Sequence, residues 1–392
     1  MKRNKIALAI VSMASTALLA ACGSAPASNG SAATGNEIGK TIKIGYNLEL
    51  SGAVAAYGQA EKNGADLAVE EINAAGGVDG KKIEVVSKDN KSDNAEAATV
   101  NTNLATEEKV VAIIGPATSG AVAAGTPGAT QSAVPLITPS GTQDDLTVKD
   151  GKVEEFIFRS TFQDSFQGQV LSTYATKTLS AKKVVLYSDN SSDYAKGIAK
   201  AFKEAYEGEI VVEETYQSGD KDFQAALTKI KDQDFDAIII PGYYTEAGLI
   251  TKQAREMGID KPILGPDGFA DAKFIEGAGE KNASNVYYVS GYSTKVALSE
   301  KATAFVAAYK EKYGEEPNMF AALAYDAVYM AAEAAKDAKT SKDIATNLAD
   351  LKDFEGVTGP ISIDKDHNPV KSAIMVKLDN GQEASAEAVT AE

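Results

Sequence analysis

The stretch VVAIIGPATSGAVAAGTPGATQSAVPLITPSGTQDD, Val110 to Asp145, decides the fold class. It opens with an apolar run that stops at Gly115 and continues with a helical segment over about Ser119 to Gln131. It then enters a second apolar run that stops at Pro139. Strand, helix, strand in so short a span is one turn of parallel α/β winding. Each strand is followed at once by small, hydroxyl-bearing residues: Ser119 after the first, Ser140, Gly141 and Thr142 after the second.

The same rhythm runs outward in both directions. Upstream, TIKIGYNLEL reads as a strand, Gln59 to Ala75 as a helix stopped by Gly76-Gly77, KKIEVVSKD as a strand and Asp93 to Glu108 as a helix. Downstream of EFIFRSTFQ the pattern restarts. Strands fall at KKVVLYSDN, EIVVEETY, FDAIIIPG and KPILGPD, with helices near Ser165 to Thr178, Tyr194 to Tyr206, Phe223 to Lys231, Glu246 to Met257 and Ala272 to Ala278. After NVYYVSGY come two alanine-rich helices, Ser299 to Tyr313 and Phe320 to Ala335. Alternating strands and helices predict an α/β fold of two similar lobes, each a parallel-rich sheet flanked by helices and hinged around a ligand cleft. The expected lobes are residues 41–159 with 291–360, and 160–290 with 361–392. The chain would cross between them near Arg159 to Thr161, Ser290 to Tyr292 and Gly359 to Asp364.

The 392 residues suit two α/β domains better than one core. Asp and Glu number 55 against 39 Lys and Arg, a formal charge of −16, which argues against nucleic acid or an anionic membrane surface as ligand. The first 21 residues, MKRNKIALAIVSMASTALLAA, have the basic start, apolar run and small-residue end of a secretory signal. Cys22 is the only cysteine and follows Leu19-Ala20-Ala21, a pattern that resembles a bacterial lipobox. The expectation is an acylated Cys22 on a flexible tether, residues 22–40, holding the protein on the outer face of a bacterial cytoplasmic membrane, as on a Gram-positive cell surface.

Ligands of open parallel sheets sit outside the carboxyl ends of the strands, where helix N-termini offer free N–H groups. Here those ends deliver Ser119, the Ser140 to Thr142 run, Tyr243 and Asp267. Neutral donors on one side and an acid on the other suit a zwitterion. Each piece has a plainer use: the hydroxyl residues as helix caps, Asp267 before Gly268 as a turn residue, Tyr57, Tyr194 and Phe320 as ordinary core or surface.

The series GYNLELSGAVAAYG, GADLAVEEINAAGGVDGKKIEVVSKDN, IIGPATSG, VPLITPSGT, FRSTFQDSFQG, SDYAKG, PGYYTEAG and LGPDG resembles the leucine/isoleucine/valine-binding proteins that feed ABC transporters. The resemblance runs from about Thr41 almost to the C-terminus. It implies a type I periplasmic-binding-protein fold, a free amino acid as ligand, most readily branched-chain, and ABC permease and ATPase subunits as partners of a monomer. It implies that Ser119 donates to the ligand carboxylate. Thr142 would serve both the carboxylate and the ammonium, and the Ser140 carbonyl, beside Gly141, would accept from the ammonium. Tyr243 and Asp267 would lie on the ammonium side, with Tyr57, Tyr194 and Phe320 around the side chain. Two departures stand out: Asp267 replaces a glutamate, and a disulfide found in some relatives has no cysteines here.

No enzyme, cofactor or metal site is expected. The only histidine, His367 in DKDHNP, reads as an exposed loop residue, so neither a Ser-His-Asp nor a Cys-His site is supported. GGVDGKK reads as a turn rather than a nucleotide loop. Counting alone leaves open a paired-carboxylate hydrolase, a sensing module that serves a signalling receptor, and a surface adhesin.

Overall fold

The computed structural model describes residues 33–296 and 299–389; the expected signal segment, residues 1–21, and Cys22 lie outside them. The expected tether, residues 22–40, is too long at its C-terminal end: Asn36 Nδ2 donates to the Ala105 and Val110 carbonyls, both at 2.8 Å, and the Ile38 N–H donates to the Lys339 carbonyl at 2.8 Å, so the chain from Asn36 onward is part of the fold. The first sheet contains β1 (Ile42–Leu48), β2 (Ile83–Asp89), β3 (Ala112–Ile114), β4 (Leu136–Thr138) and β5 (Ile157–Arg159). Its order is β2-β1-β3-β4-β5, and all neighbours run parallel. Helices cover both faces, so β3 and β4 are apolar and buried at every position up to Thr138, as a sheet covered on both sides requires.

The flanking helices are α1 (Ala55–Ala74), α2 (Asn94–Thr106) and α3 (Ser119–Ser132). The predicted start of α1 at Gln59 was too late: the first turn begins at Ala55 and carries Tyr57. That turn has no side-chain cap to announce it, and the structure secures it through tertiary contacts. At Gly64, α1 meets a later helix so closely that a Cβ would lie 1.9 Å from the carbonyl oxygen of Ala321.

The second sheet contains β6 (Lys183–Asp189), β7 (Glu209–Tyr216), β8 (Ala237–Ile239), β9 (Ile263–Gly265), β10 (Val286–Ser290), β11 (Ala373–Asp379) and β12 (Gln382–Val389). Its order is β12-β11-β10-β9-β8-β6-β7. The β6 to β10 core is parallel, and β11 and β12 add an antiparallel edge. Around it lie α4 (Asp164–Thr173), α5 (Asp193–Ala205), α6 (Gln224–Lys231), α7 (Tyr244–Glu256) and α8 (Ala272–Ala278). The chain then forms α9 (Glu300–Tyr313), α10 (Met319–Ala334) and α11 (Ser341–Ala349). The alanine richness of α10 is what lets it lie against α1.

Where β5 ends, the segments are tied together. Ser160 Oγ donates to the Leu323 carbonyl at 3.0 Å, and half-buried Lys371 donates to the Ser160 carbonyl at 2.8 Å.

His367 corrects the sequence reading. It does occupy a turn, with φ of 62°, but its ring is only 8% exposed and stacks on Phe158 with centroids 4.2 Å apart. The turn folds back over β5, and Nδ1 lies 3.1 Å from the Ile157 carbonyl oxygen. Burial pushes the imidazole below its ordinary pKa, against the pull of that contact and of nearby acids.

Candidate functional site

The strand ends of the first sheet are shaped by backbone fit. After β3 the chain passes Gly115 at φ +91°, where a Cβ would lie 2.2 Å from the Asn47 carbonyl oxygen. The turn presents residues 117–119 at the sheet edge. Glu49, at the end of β1, receives it by accepting the N–H groups of Ala117 and Thr118 at 3.0 and 3.1 Å and the Thr118 hydroxyl at 2.8 Å.

Ser119 opens α3 but caps nothing in it. Its Oγ instead accepts the N–H groups of Thr142 and Gln143, both at 3.2 Å. A hydroxyl with both acceptor positions filled keeps its proton to donate elsewhere. After β4, Thr138 Oγ1 donates to the Pro116 carbonyl at 2.6 Å and accepts the Gly141 N–H at 2.8 Å. The loops after β3 and β4 are therefore one stitched unit.

Seven of the nine residues singled out in the sequence meet at one cleft. Tyr57, Ser119, Ser140 and Phe320 line it with Ala117 and Thr118, and Tyr194, Tyr243, Asp267 and Gly268 face them from the second sheet. The space left between them is only about 10 Å³, far below the roughly 300 to 1,000 Å³ of drug-sized sites, so the two sides of the cleft lie almost in contact. Gly141 and Thr142 lie behind that lining. The Thr142 N–H, expected to serve a carboxylate, is taken by Ser119, and its Oγ1 is buried without a partner. The Gly141 carbonyl accepts from the buried Arg159 guanidinium at 3.2 Å.

The wall is aromatic. Tyr57 stacks on Phe320 at 4.2 Å between centroids and meets Tyr243 edge-on at 5.8 Å, while Tyr194 lies flat on Tyr243 at 4.9 Å. Asp267 is 2% exposed and accepts the Tyr194 hydroxyl at 2.5 Å; its own N–H goes to Gln167 Oε1 at 2.9 Å. Burial outweighs the bonds from Tyr194 and Gln167 and pushes its carboxyl up to about 6. At neutral pH Asp267 remains mostly ionised.

Three buried acids next to the cleft escaped the sequence reading: Glu49, Glu61 and Asp164. Asp164, in the first turn of α4, makes no well-formed hydrogen bond through either carboxyl oxygen, and burial pushes it well above the carboxylate range against the weaker pull of the nearby Thr142 hydroxyl. Glu61 did leave a signal. It falls between Tyr57 and Gly64, on the side of α1 that is otherwise small or apolar and buried, where a charge is out of place. Among the described residues no group of three His, Cys, Asp or Glu is placed to hold a metal, and no helix is long and apolar enough to cross a membrane.

Two α/β lobes that meet over a cleft at their strand ends define a type I periplasmic-binding fold. The chain belongs to the periplasmic binding protein family, whose model matches residues 41–383. Among its relatives, the Leu/Ile/Val-binding protein BraC3 of Rhizobium johnstonii is 30% identical over 324 residues, 82% of this chain and 87% of that protein. The branched-chain amino acid transporter substrate-binding protein LivJ of Streptococcus pneumoniae, solved with isoleucine, is 61% identical. It superposes with a TM-score of 0.87 over 89% of this chain and 99% of its own. The leucine-binding protein LivK of Thermotoga maritima is 34% identical, with a TM-score of 0.82 over 89% and 98%. The family is one of extracytoplasmic solute-binding proteins rather than enzymes.

Proposed function

We propose that this protein captures a free branched-chain amino acid outside the cytoplasm and delivers it to an ABC importer. The observation that carries this reading is the polarity of the cleft. Ser119 has a hydroxyl proton to donate on one side, and Asp267 presents a buried carboxylate on the other. The ligand carboxylate accepts a hydrogen bond from the Ser119 hydroxyl, and its ammonium pairs with Asp267 and the Ser140 carbonyl, with Tyr243 beside them. Tyr57, Tyr194 and Phe320 cover the aliphatic side chain. The Leu/Ile/Val-binding proteins among the relatives, and the isoleucine complex of LivJ, support this ligand class.

Capture is a hinge movement between residues 41–159 with 291–360 and residues 160–290 with 361–392. A ligand favours closure only as far as it binds the closed form better, and Asp267 supplies that difference by facing Ser119 across the cleft. An acylated Cys22 holds a monomer on the outer face of the membrane of a Gram-positive cell. A thermal-shift panel of the twenty amino acids tests the ligand class, since a tight binder raises the melting point by mass action. Leucine, isoleucine and valine give the largest shifts; a larger shift with a polar amino acid refutes the assignment.

A further inference from the structure

Ser140 has one hydroxyl proton and two oxygens within bonding distance of its Oγ: the Ala117 carbonyl at 2.9 Å and Glu61 Oε1 at 2.5 Å. A carbonyl only accepts, and so does an ionised carboxylate. With Glu61 ionised, a single proton would face two acceptors, and Glu61 Oε2, buried with no partner, would carry charge in a fully covered place. Glu49 is a second buried carboxylate, and its charge acts on Glu61. Of the two, Glu49 has the donors: two backbone N–H groups and the Thr118 hydroxyl. When two carboxyls share a buried region, the better solvated one ionises and the other keeps its proton.

We infer that Glu61 is a neutral positioning residue whose carboxyl O–H donates a hydrogen bond to Ser140 Oγ, while the Ser140 O–H donates its own to the Ala117 carbonyl. This relay, from α1 to the loop after β4 to the loop after β3, gives each of its hydroxyl protons an acceptor and leaves Glu61 Oε2 a neutral carbonyl oxygen instead of a buried charge. One hydroxyl proton is left free for the ligand. Three serine or threonine hydroxyls line the cleft, and those of Thr118 and Ser140 are committed to Glu49 and Ala117, which leaves that of Ser119. A neutral Glu61 further spares the ligand carboxylate a repelling charge behind Ser140. The inference rests on the amino-acid reading of the cleft only in this last consequence.

Infrared difference spectra of the ligand-free protein at neutral pH, wild type minus Glu61→Gln, test the proton directly. The expected result is the carbonyl stretch of a protonated carboxyl; a pair of carboxylate bands in its place overturns the assignment. Isoleucine titrations of both proteins provide the second readout. The Glu61→Gln amide still donates to Ser140, so its affinity stays within about threefold of wild type, whereas Glu61→Leu, which cannot donate, loses roughly tenfold or more. A Glu61→Gln variant that folds but binds as poorly as Glu61→Leu overturns the relay. If isoleucine fails to bind the wild type, the ligand reading fails, and the infrared result still decides the proton.

Discussion

The hydroxyl of Tyr57, on α1, donates to the carbonyl of Gly268, beyond β9, at 2.5 Å. The same oxygen accepts the N–H of Tyr244, at the start of α7, at 3.3 Å. One phenol thus bridges the first lobe to two strand-end loops of the second. Its ring, packed on Phe320 and against Tyr243 and Tyr244, is part of the cleft wall.

Tyr57→Phe keeps the wall and removes the bridge, leaving the Gly268 carbonyl and the Tyr244 N–H without their partner when the lobes meet. A buried polar group left unpaired costs about 1 to 3 kcal/mol. Leucine affinity by calorimetry falls roughly ten- to a hundred-fold, and small-angle scattering of the ligand-bound variant shifts toward the open form. An unchanged affinity would mean that the bridge forms after, and independently of, ligand capture.

Asp267 gives binding a defined pH dependence. Its carboxyl titrates near about 6, above its ordinary 3.8, because it is buried. The protonated form cannot pair with an ammonium, so affinity is full above that value and weakens as pH falls through it, by roughly tenfold for each unit below. Asp267→Asn flattens this profile and weakens binding at neutral pH by about 1.5 to 3 kcal/mol. In the absence of ligand the sign is opposite: a raised acid stabilises the folded chain below pH 3.8, and that contribution is lost as pH rises through about 6.

His367 pulls stability the other way. Burial lowers its folded pKa below the ordinary 6.5, so its contribution is present above 6.5 and is lost as pH falls through the folded value. It is the chain's only histidine, which makes a proton NMR titration unambiguous. The expected midpoint lies below 6.5 and reaches the unfolded value in denaturant; a midpoint above 6.5 would contradict the buried stack on Phe158.

Gly64→Ala probes the contact between α1 and α10. A Cβ there overlaps the Ala321 carbonyl oxygen at 1.9 Å, and because the atoms it meets are backbone the overlap is relieved only by moving the helices apart. Overpacking of this kind costs about 1 to 3 kcal/mol, seen as a melting temperature lower by several degrees. Since α1 carries Tyr57 and α10 carries Phe320, leucine affinity falls with it.

The strand–helix alternation was legible because parallel strands covered on both faces read as unbroken apolar runs. Ser119, Ser140, Tyr243 and Asp267 stood out for a related reason, the stop of each run marking a strand end. The antiparallel β11–β12 edge was passed over although Asn380-Gly381 announces it; both residues take positive φ, at 49° and 69°, as a tight hairpin turn needs. Helix α11 was passed over too, although Thr340 and Asp343 form a reciprocal cap at its start. What the sequence could not disclose is which partner a polar group finds. Asp164 looks like a surface charge on a helix until Gly197 is seen against it, and Glu61, though out of place on its face of α1, names no partner until Ser140 is seen against it. His367 was misjudged on the same ground, since its neighbours in the chain are polar while its neighbour in space is Phe158.

A crystal structure with isoleucine bound tests the central claim most directly. The ligand carboxylate should lie within hydrogen-bond distance of Ser119 Oγ, the ammonium against Asp267 and the Ser140 carbonyl, and the side chain among Tyr57, Tyr194 and Phe320. Isoleucine seated away from Ser119 and Asp267, or with its two charged ends reversed between them, would contradict the account.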